Sequence, residues 1–146
     1  MKTCVFVILL LCFLNLPAES PTRISIPLKS ARDRSMVTVQ IGNMIIPDIL
    51  LDTGFAFDGL MIYNTDYNDS LKFLNPIKVK VPGAGGGDPS VALMVDSAEF
   101  NLGSVRMRNQ RLLLLQSDTF EGFPSNGVMG YSLFGHYAVE LNYDNN

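Results

Sequence analysis

The sequence has few of the residues that cross-link a small domain or bind metal in it, and it lacks any run of basic residues. Only two cysteines occur among 146 residues, and both Cys4 and Cys12 lie in the first twenty, a segment predicted below to be removed. No disulfide is therefore expected in the mature chain. The single histidine, His136, is interpreted as an ordinary helix residue, and no metal or other cofactor is expected. With a net charge of -3 and no interleaved basic and aromatic residues, no nucleic-acid partner is expected either.

The first twenty residues have the pattern of a secretory signal peptide. Lys2 supplies a positive charge, residues 5–16 are almost entirely apolar, and Ala18-Glu19-Ser20 offers small residues at the spacing that a signal peptidase reads. A retained membrane anchor is disfavoured because the apolar run is about 12 residues long and a spanning helix needs about 20. A lipoprotein anchor at Cys12 is disfavoured because Leu11 stands where a small residue is expected. We expect residues 1–20 to be cleaved, leaving a secreted or periplasmic protein without membrane association.

The remaining chain, about 126 residues, has room for one domain with a sizeable core. Residues 21–34 are interpreted as an N-terminal strand or arm, or as a removable pro-segment. Residues 35–146 form the predicted domain. The polar end, residues 144–146, leaves open the alternative that this domain is one lobe of a longer protein.

Short β-branched runs separated by Gly, Pro and Asn predict an all-β domain. Pro47 indicates an edge strand or a bend, and the run of four leucines from Leu112 to Leu115 predicts a strand buried on both faces. The expected strands span residues 36–41, 44–51, 60–63, 77–81, 91–95, 99–102, 105–115 and 139–143. Gly42-Asn43 predicts a turn between the first two, and residues 77–81 alternate strictly between apolar and charged. One short helix is expected over residues 132–138.

Asp52-Thr53-Gly54 follows the apolar run of residues 45–51 and is the candidate for chemistry. Two carboxylates held close enough to share one proton can activate a water molecule for attack on a peptide carbonyl. A carboxylate on a tight turn after a buried strand is suited to be one half of such a pair. The alternative from these residues alone is an ordinary strand-ending Asx turn.

Two glycine motifs follow downstream. Gly83-Ala84-Gly85-Gly86-Gly87 lies at the tip of a predicted hairpin, and Gly127-Val128-Met129-Gly130 places two apolar residues between glycines before the predicted helix. Taken singly, the first could be a disordered loop and the second a simple turn. In this order and spacing, the three motifs resemble those of the aspartic proteases, especially the single-domain, retroviral-type (retropepsin-like) members, over about residues 35–143.

The resemblance implies an all-β, single-lobe aspartic protease fold, closed like a β-barrel, with one short C-terminal helix. It implies that Asp52 is the catalytic carboxylate, that Thr53 braces its counterpart across a dimer axis, and that Gly54 admits the substrate backbone. Residues Gly83, Ala84, Gly85, Gly86 and Gly87 would form a flap over the substrate. Val128, Met129 and Gly130 would support the catalytic turn from behind without taking part in chemistry.

The sequence departs from that family directly after the triad. Retroviral members carry Ala and then Asp there, and pepsin-like members carry small hydroxyl residues, whereas this chain has Phe55 and Ala56. Neither side chain offers a hydroxyl or an acid to hold a substrate, and Phe55 is expected to narrow a subsite. Tyr131 replaces an arginine that pairs with the missing acid in retroviral members, so both partners are absent together and no charge is left unpaired.

The chain contains one convincing copy of the triad. Asp96-Ser97-Ala98 also follows apolar residues, but Ala98 replaces the glycine, and Asp48 and Asp58 are expected to face solvent. The expected solution is a homodimer in which each copy gives one Asp52. Residues 24–28 and 139–143 are the expected strands of an interchain sheet, because exposed edges invite pairing.

The sequence therefore predicts an aspartic endopeptidase acting on peptide or protein substrates. Two alternatives remain. One is a catalytically weak or inactive dimeric β domain that binds peptides with the same fold, which Phe55 and Ala56 leave open. The other is one lobe of a larger protease.

Overall fold

A computed structural model of the chain describes residues 22–31, 33–73, 75–82 and 87–144. The predicted signal peptide and four of the five flap residues, 83–86, lie outside the described residues. Within them, the chain is mostly β, as predicted. The strands are β1 (Lys29–Ala31), β2 (Arg34–Ile41), β3 (Met44–Leu51), β4 (Gly59–Ile62), β5 (Ile77–Val81), β6 (Ser90–Leu102), β7 (Val105–Leu115) and β8 (Gly127–Met129). A 3₁₀ turn spans Thr65–Tyr67, and one α-helix, α1, spans Tyr131–Phe134.

The strands form one mixed sheet in the order β1-β2-β3-β8-β4-β7-β6-β5. The β3–β8 and β4–β7 pairs are parallel, and the remaining pairs are antiparallel. β2 makes an additional pairing with β6, with Val39 opposite Leu102 and Gln40 opposite Asn101. The last strand, β8, therefore lies between two strands that come much earlier in the sequence.

The β2–β3 hairpin turns at Gly42-Asn43, as its sequence predicts, and Gly42 adopts the left-handed φ of 57° that such turns require. Farther along, Val37 lies opposite Ile49 but Val39 lies opposite Ile46, so β3 contains one extra residue. The bulge falls at Pro47-Asp48, where Asp48 has a φ of 57°. β8 pairs with β3 only from Ile49 onward, so Pro47 lies at a bend before that pairing begins, and the predicted bend is confirmed.

The hairpin predicted on either side of the glycine tip is confirmed, with Ile77 opposite Met94 and Val81 opposite Ser90. Its second strand is longer than predicted, because β6 continues without a break to Leu102. The prediction of two strands over residues 91–95 and 99–102 was therefore wrong. The pairing of β6 with β7 shifts register between Val95 and Ala98, so Asp96-Ser97 marks an irregularity in one strand and not a turn between two.

Two groups of buried side chains form the interior. The central core contains Val37, Val39, Ile41, Ile46, Ile49, Leu60, Ile62, Leu71, Ala98, Phe100, Leu102, Met107, Leu112, Leu114, Met129 and Leu133. The second cluster contains Met61, Tyr63, Ala92, Leu113, Leu115 and Val128. Successive side chains of a strand point to opposite faces, so the leucine run of β7 alternates between the two groups. The prediction that this strand is buried on both faces is confirmed.

The C-terminal region differs from its prediction. Helix α1 is one turn long, ends before Gly135, and leaves His136 outside it, so the helix predicted over residues 132–138 was too long. Residues 139–143 are not a strand either, although one was predicted. In the described part of the chain no strand pairs with this segment. Glu140 forms an ion pair with Arg23 at 2.8 Å, and the Tyr143 hydroxyl is hydrogen-bonded to that of Ser35.

The N-terminal residues 24–28 also lie outside the strands. Ile26 and Leu28 are partly buried against the central core, so the segment packs on its own domain. No helix among the described residues is long and apolar enough to cross a bilayer.

Candidate active site

Asp52 lies on an exposed turn at the end of β3. Its backbone N–H donates to the carbonyl of Met129 at 3.0 Å, and its Oδ1 accepts from the N–H of Gly54 at 2.8 Å. The second contact is the geometry of an Asx turn, which an ordinary turn would share. What distinguishes this turn is therefore the structure behind it.

Strand β8 lies between β3, which leads into the turn, and β4, which leads out of it. Leu50 pairs with Val128 and Leu51 with Met129 on one side, and Leu60 pairs with Met129 on the other. All three residues of β8 are buried. The Gly-apolar-apolar-Gly motif thus forms a buried strand behind the turn, and the alternative of a simple turn was wrong for this segment.

Gly130 packs directly under the turn. A Cβ at this position would overlap the backbone carbonyl oxygens of Asp52 and Phe55, so a side chain has no room there. The next two residues hold the rest of the loop over residues 52–59. The N–H of Tyr131 donates to the carbonyl of Phe55 at 2.9 Å, and Ser132 Oγ donates to the carbonyl of Gly59 at 2.9 Å.

The residues directly after the triad present apolar surface. The Phe55 and Phe57 ring centroids are 6.0 Å apart, and both rings are half-buried against the second cluster. Ala56 between them is exposed. Val79 and Val81, at the base of the glycine-tipped hairpin, pack partly buried against the same cluster. The turn and the hairpin base therefore adjoin one apolar region, and Gly87, the one described flap residue, is exposed beyond it.

Other carboxylates near the turn in sequence have partners of their own. Asp48 forms an ion pair with Lys29 at 2.7 Å, and Asp58 lies 3.4 Å from Nε2 of His136. The prediction that both acids face solvent was wrong for Asp48, whose side chain is only 26% exposed, whereas that of Asp58 is 46% exposed. Among the described residues no hydrogen bond or ion pair joins Asp52 to a second carboxylate. One chain thus presents a single acid on this turn.

Asn126, just before β8, was missed by sequence reasoning. Its N–H donates to the carbonyl of Asp48 at 2.9 Å and its Nδ2 to the carbonyl of Pro47 at 2.9 Å. Its Oδ1 accepts from Nδ2 of Asn64 at 2.8 Å, and its carbonyl accepts from the N–H of Tyr63 at 3.0 Å. Asn126 joins the β3 bulge to the end of β4. An asparagine before a glycine is the only signal in the sequence, and it equally indicates a turn.

A cluster of aromatic side chains packs at the C-terminal end of β4. The Tyr63 ring lies 4.7 Å from that of Phe120 and 5.8 Å from that of Phe123, and the Arg34 guanidinium lies 5.1 Å from the Phe123 ring centroid. The Tyr63 hydroxyl is hydrogen-bonded to that of Ser125. Burial raises the pKa of Tyr63 above its ordinary value of 10.0, against smaller opposing effects of Ser125 and Arg34. Tyr63 is therefore held in its neutral form.

In comparisons with known proteins, no protein-family model and no curated protein matches the chain. No group of three or more His, Cys, Asp or Glu side chains suited to a metal ion is present in the described ranges. The chemistry of the site must therefore be inferred from its own residues.

Proposed function

We propose that the protein is an aspartic endopeptidase of the retropepsin-like type, in which Asp52 residues from two copies of the chain activate one water molecule. The observation that carries the proposal is the exposed Asp52 carboxylate on a turn supported from behind by β8 and Gly130. The additional pairing of β2 with β6 supports a single lobe closed like a β-barrel. The buried strand behind the turn is what an ordinary Asx turn does not require.

A homodimer supplies the missing acid in this proposal. Asp52 and Thr53 are exposed on the same turn, whereas Asp48 pairs with Lys29 and Asp58 lies beside His136. A two-fold axis beside the turn would bring Asp52 next to the partner's Asp52. Two identical chains suffice, because a symmetric interface uses the same surface patch of each copy. The exposed Val139 and Tyr143 offer apolar surface for such an interface.

In the proposed reaction the two carboxylates share one proton. The ionised carboxylate takes a proton from water as the water oxygen bonds to the scissile carbonyl carbon, and the protonated carboxylate donates its proton to the carbonyl oxygen. The tetrahedral intermediate then collapses: the protonated carboxyl gives its proton to the nitrogen as the C–N bond breaks and the amine leaves. The other carboxylate takes a proton from one hydroxyl of the intermediate as the product carboxyl forms, which restores the singly protonated pair. The residues after the triad offer no acid or hydroxyl side chain, so main-chain contacts and apolar burial near Phe55 and Phe57 hold the peptide.

The test is the substitution Asp52→Asn, measured on a broad library of quenched fluorescent peptides from about pH 3 to about pH 7. It removes the ionisable group while keeping size and shape, so cleavage should fall by about 10³-fold or more. Asp58→Asn is the matched control, because it removes an acid from the same loop that pairs with His136 instead. The control should retain most of the activity.

Sedimentation and peptide binding separate the alternatives. The proposal requires that wild type and Asp52→Asn both dimerise and bind the cleaved peptide. A wild type that binds peptides but cleaves none across this pH range would identify a peptide-binding domain. A chain that cleaves and stays monomeric at high concentration would exclude the shared dyad.

A further inference from the structure

The loop that carries Asp52 is held by three hydrogen bonds, from three of the four residues 129–132. Met129 accepts from the N–H of Asp52, and Tyr131 donates to the carbonyl of Phe55. Both contacts use the backbone. The third contact, from Ser132 Oγ to the carbonyl of Gly59 at 2.9 Å, uses a side chain. This hydrogen bond fixes the point where the loop joins β4.

Ser132 is fully buried, with 0% of its surface exposed. A buried hydroxyl without a partner is costly, so the hydrogen bond to Gly59 explains how serine is accommodated there. Gly59 itself has no room for a side chain, since a Cβ would overlap the carbonyl oxygen of Arg111 on β7. The end of the loop is therefore held between β7 on one side and the Ser132 hydroxyl on the other.

A second side-chain link between the loop and the residues around α1 is much weaker. Asp58 and His136 are 3.4 Å apart, and their side chains are 46% and 50% exposed. Even between two charged groups, a contact at such exposure contributes about 0 to 1 kcal/mol. Ser132 thus provides the buried side-chain contact between α1 and the loop.

We propose that Ser132 is a positioning residue for the catalytic loop, whose hydroxyl holds the loop at Gly59 and thereby keeps Asp52 aligned with its counterpart. The catalytic part of this inference rests on the proposed protease function. The structural part, that the hydroxyl restrains residues 52–59, stands independently of it.

The test compares Ser132→Ala with Ser125→Ala in the full chain. Both serines are buried and hydrogen-bonded, but the Ser125 hydroxyl bonds to Tyr63 and not to the loop. At a temperature where all variants are fully folded, Ser132→Ala should lower kcat about 10-fold with little change in KM, because misalignment affects the transition state more than substrate binding. Ser125→Ala should leave kcat within about 2-fold of wild type.

Two further variants, which are isosteric with each other, isolate the effect of the hydroxyl. Ser132→Thr retains it and Ser132→Val replaces it by a methyl group of similar shape, so the Thr variant should have the higher kcat. Amide hydrogen exchange gives a readout that needs no activity. The N–H groups of Phe55 and Gly59 are bonded within the loop, and they should exchange about 10-fold faster in Ser132→Ala than in wild type or Ser125→Ala.

The outcomes distinguish the two proposals. Faster loop exchange together with a lower kcat supports the positioning role. Unchanged loop exchange overturns it, whatever happens to kcat, and faster exchange with unchanged kcat overturns its catalytic part. A wild type that cleaves no peptide overturns the protease function, and the exchange comparison then still decides whether Ser132 restrains the loop.

Discussion

Two short segments near the C-terminus, residues 127–132 and residues 137–143, were both expected to pack in an ordered element, and they differ in whether the chain provides a partner. The first contains β8, which is buried and has a strand on each side. The second has no strand partner among the described residues, and Tyr137, Val139 and Tyr143 are 37% to 54% exposed.

The difference separates the part of the candidate site that one chain completes, the support of the Asp52 turn, from the part that it leaves exposed, the C-terminal segment. The support for the turn comes from the same chain, because β3, β4 and β8 meet behind Asp52. The C-terminal segment carries apolar side chains that leave between about a third and a half of their surface exposed in the described part of the chain. Under the dimer proposal, its partner is a second copy. Substitutions in the first segment should therefore damage the fold, whereas substitutions in the second should damage association.

The largest effect is expected from Gly130→Ala. The new methyl group would overlap the carbonyl oxygens of Asp52 and Phe55, so the backbone must shift and the free energy of unfolding should fall by about 3 kcal/mol. Gly42→Ala is the control, because it has open space but a left-handed φ of 57°, and it should cost only about 1 kcal/mol. Urea denaturation measures both. Equal losses would mean that Gly130 is not in tight contact with the turn.

Asn126→Ala should have the next largest effect. It removes two side-chain hydrogen bonds, to the carbonyl of Pro47 and from Asn64, and leaves both groups to find other partners. The expected loss of unfolding free energy is about 2 kcal/mol. Asn101→Ala, at a half-buried position on β6, should cost less than about 0.5 kcal/mol. Equal small losses would show that the contacts of Asn126 do not stabilise β8.

The substitution Tyr63→Phe tests the burial of the phenol at the end of β4, through the pH dependence of the unfolding free energy. Tyr63 has a raised pKa in the folded state, so its neutral form stabilises the fold fully below pH 10.0, and this contribution is lost as pH rises through the folded-state value. At neutral pH the variant should be less stable by about 1 kcal/mol, because the hydrogen bond with Ser125 is lost. The difference should shrink in alkaline solution. A constant difference from about pH 8 to about pH 11 would contradict the burial of the phenol.

Local patterns predicted the parts of this fold whose partners are adjacent in sequence. Strict alternation in residues 77–81 and the turn Gly42-Asn43 correctly predicted two hairpins. The position of β8 behind the turn was predicted only from the resemblance to the aspartic proteases. A strand of three residues is too short to show a periodic pattern of its own. The polar pair Asp96-Ser97 separated two predicted strands, because a register shift inside one long strand interrupts the apolar pattern as a loop does.

The remaining errors come from partners that a linear sequence does not specify. Asn126 bonds to residues about sixty and eighty positions earlier, and nothing local indicates those contacts. Residues 139–143 have the composition of a strand, but composition does not say which strand will pair with them. The helix ended earlier than predicted because Gly135, a poor helix former, follows its single turn.

The smallest effect on stability, and the most direct test of the contrast between the two segments, is expected from the double substitution Val139→Ser and Tyr143→Ser. Both side chains are exposed, so the unfolding free energy of the monomer should change by less than about 1 kcal/mol in total. Self-association should weaken by about 10-fold or more, because a buried apolar side chain contributes about 1.5 to 3 kcal/mol. Ile45→Ser, at 63% exposure on β3, is the control and should leave association unchanged. Sedimentation over a concentration series measures both variants, and equal dimer affinity in wild type and double variant would place the interface elsewhere on the chain.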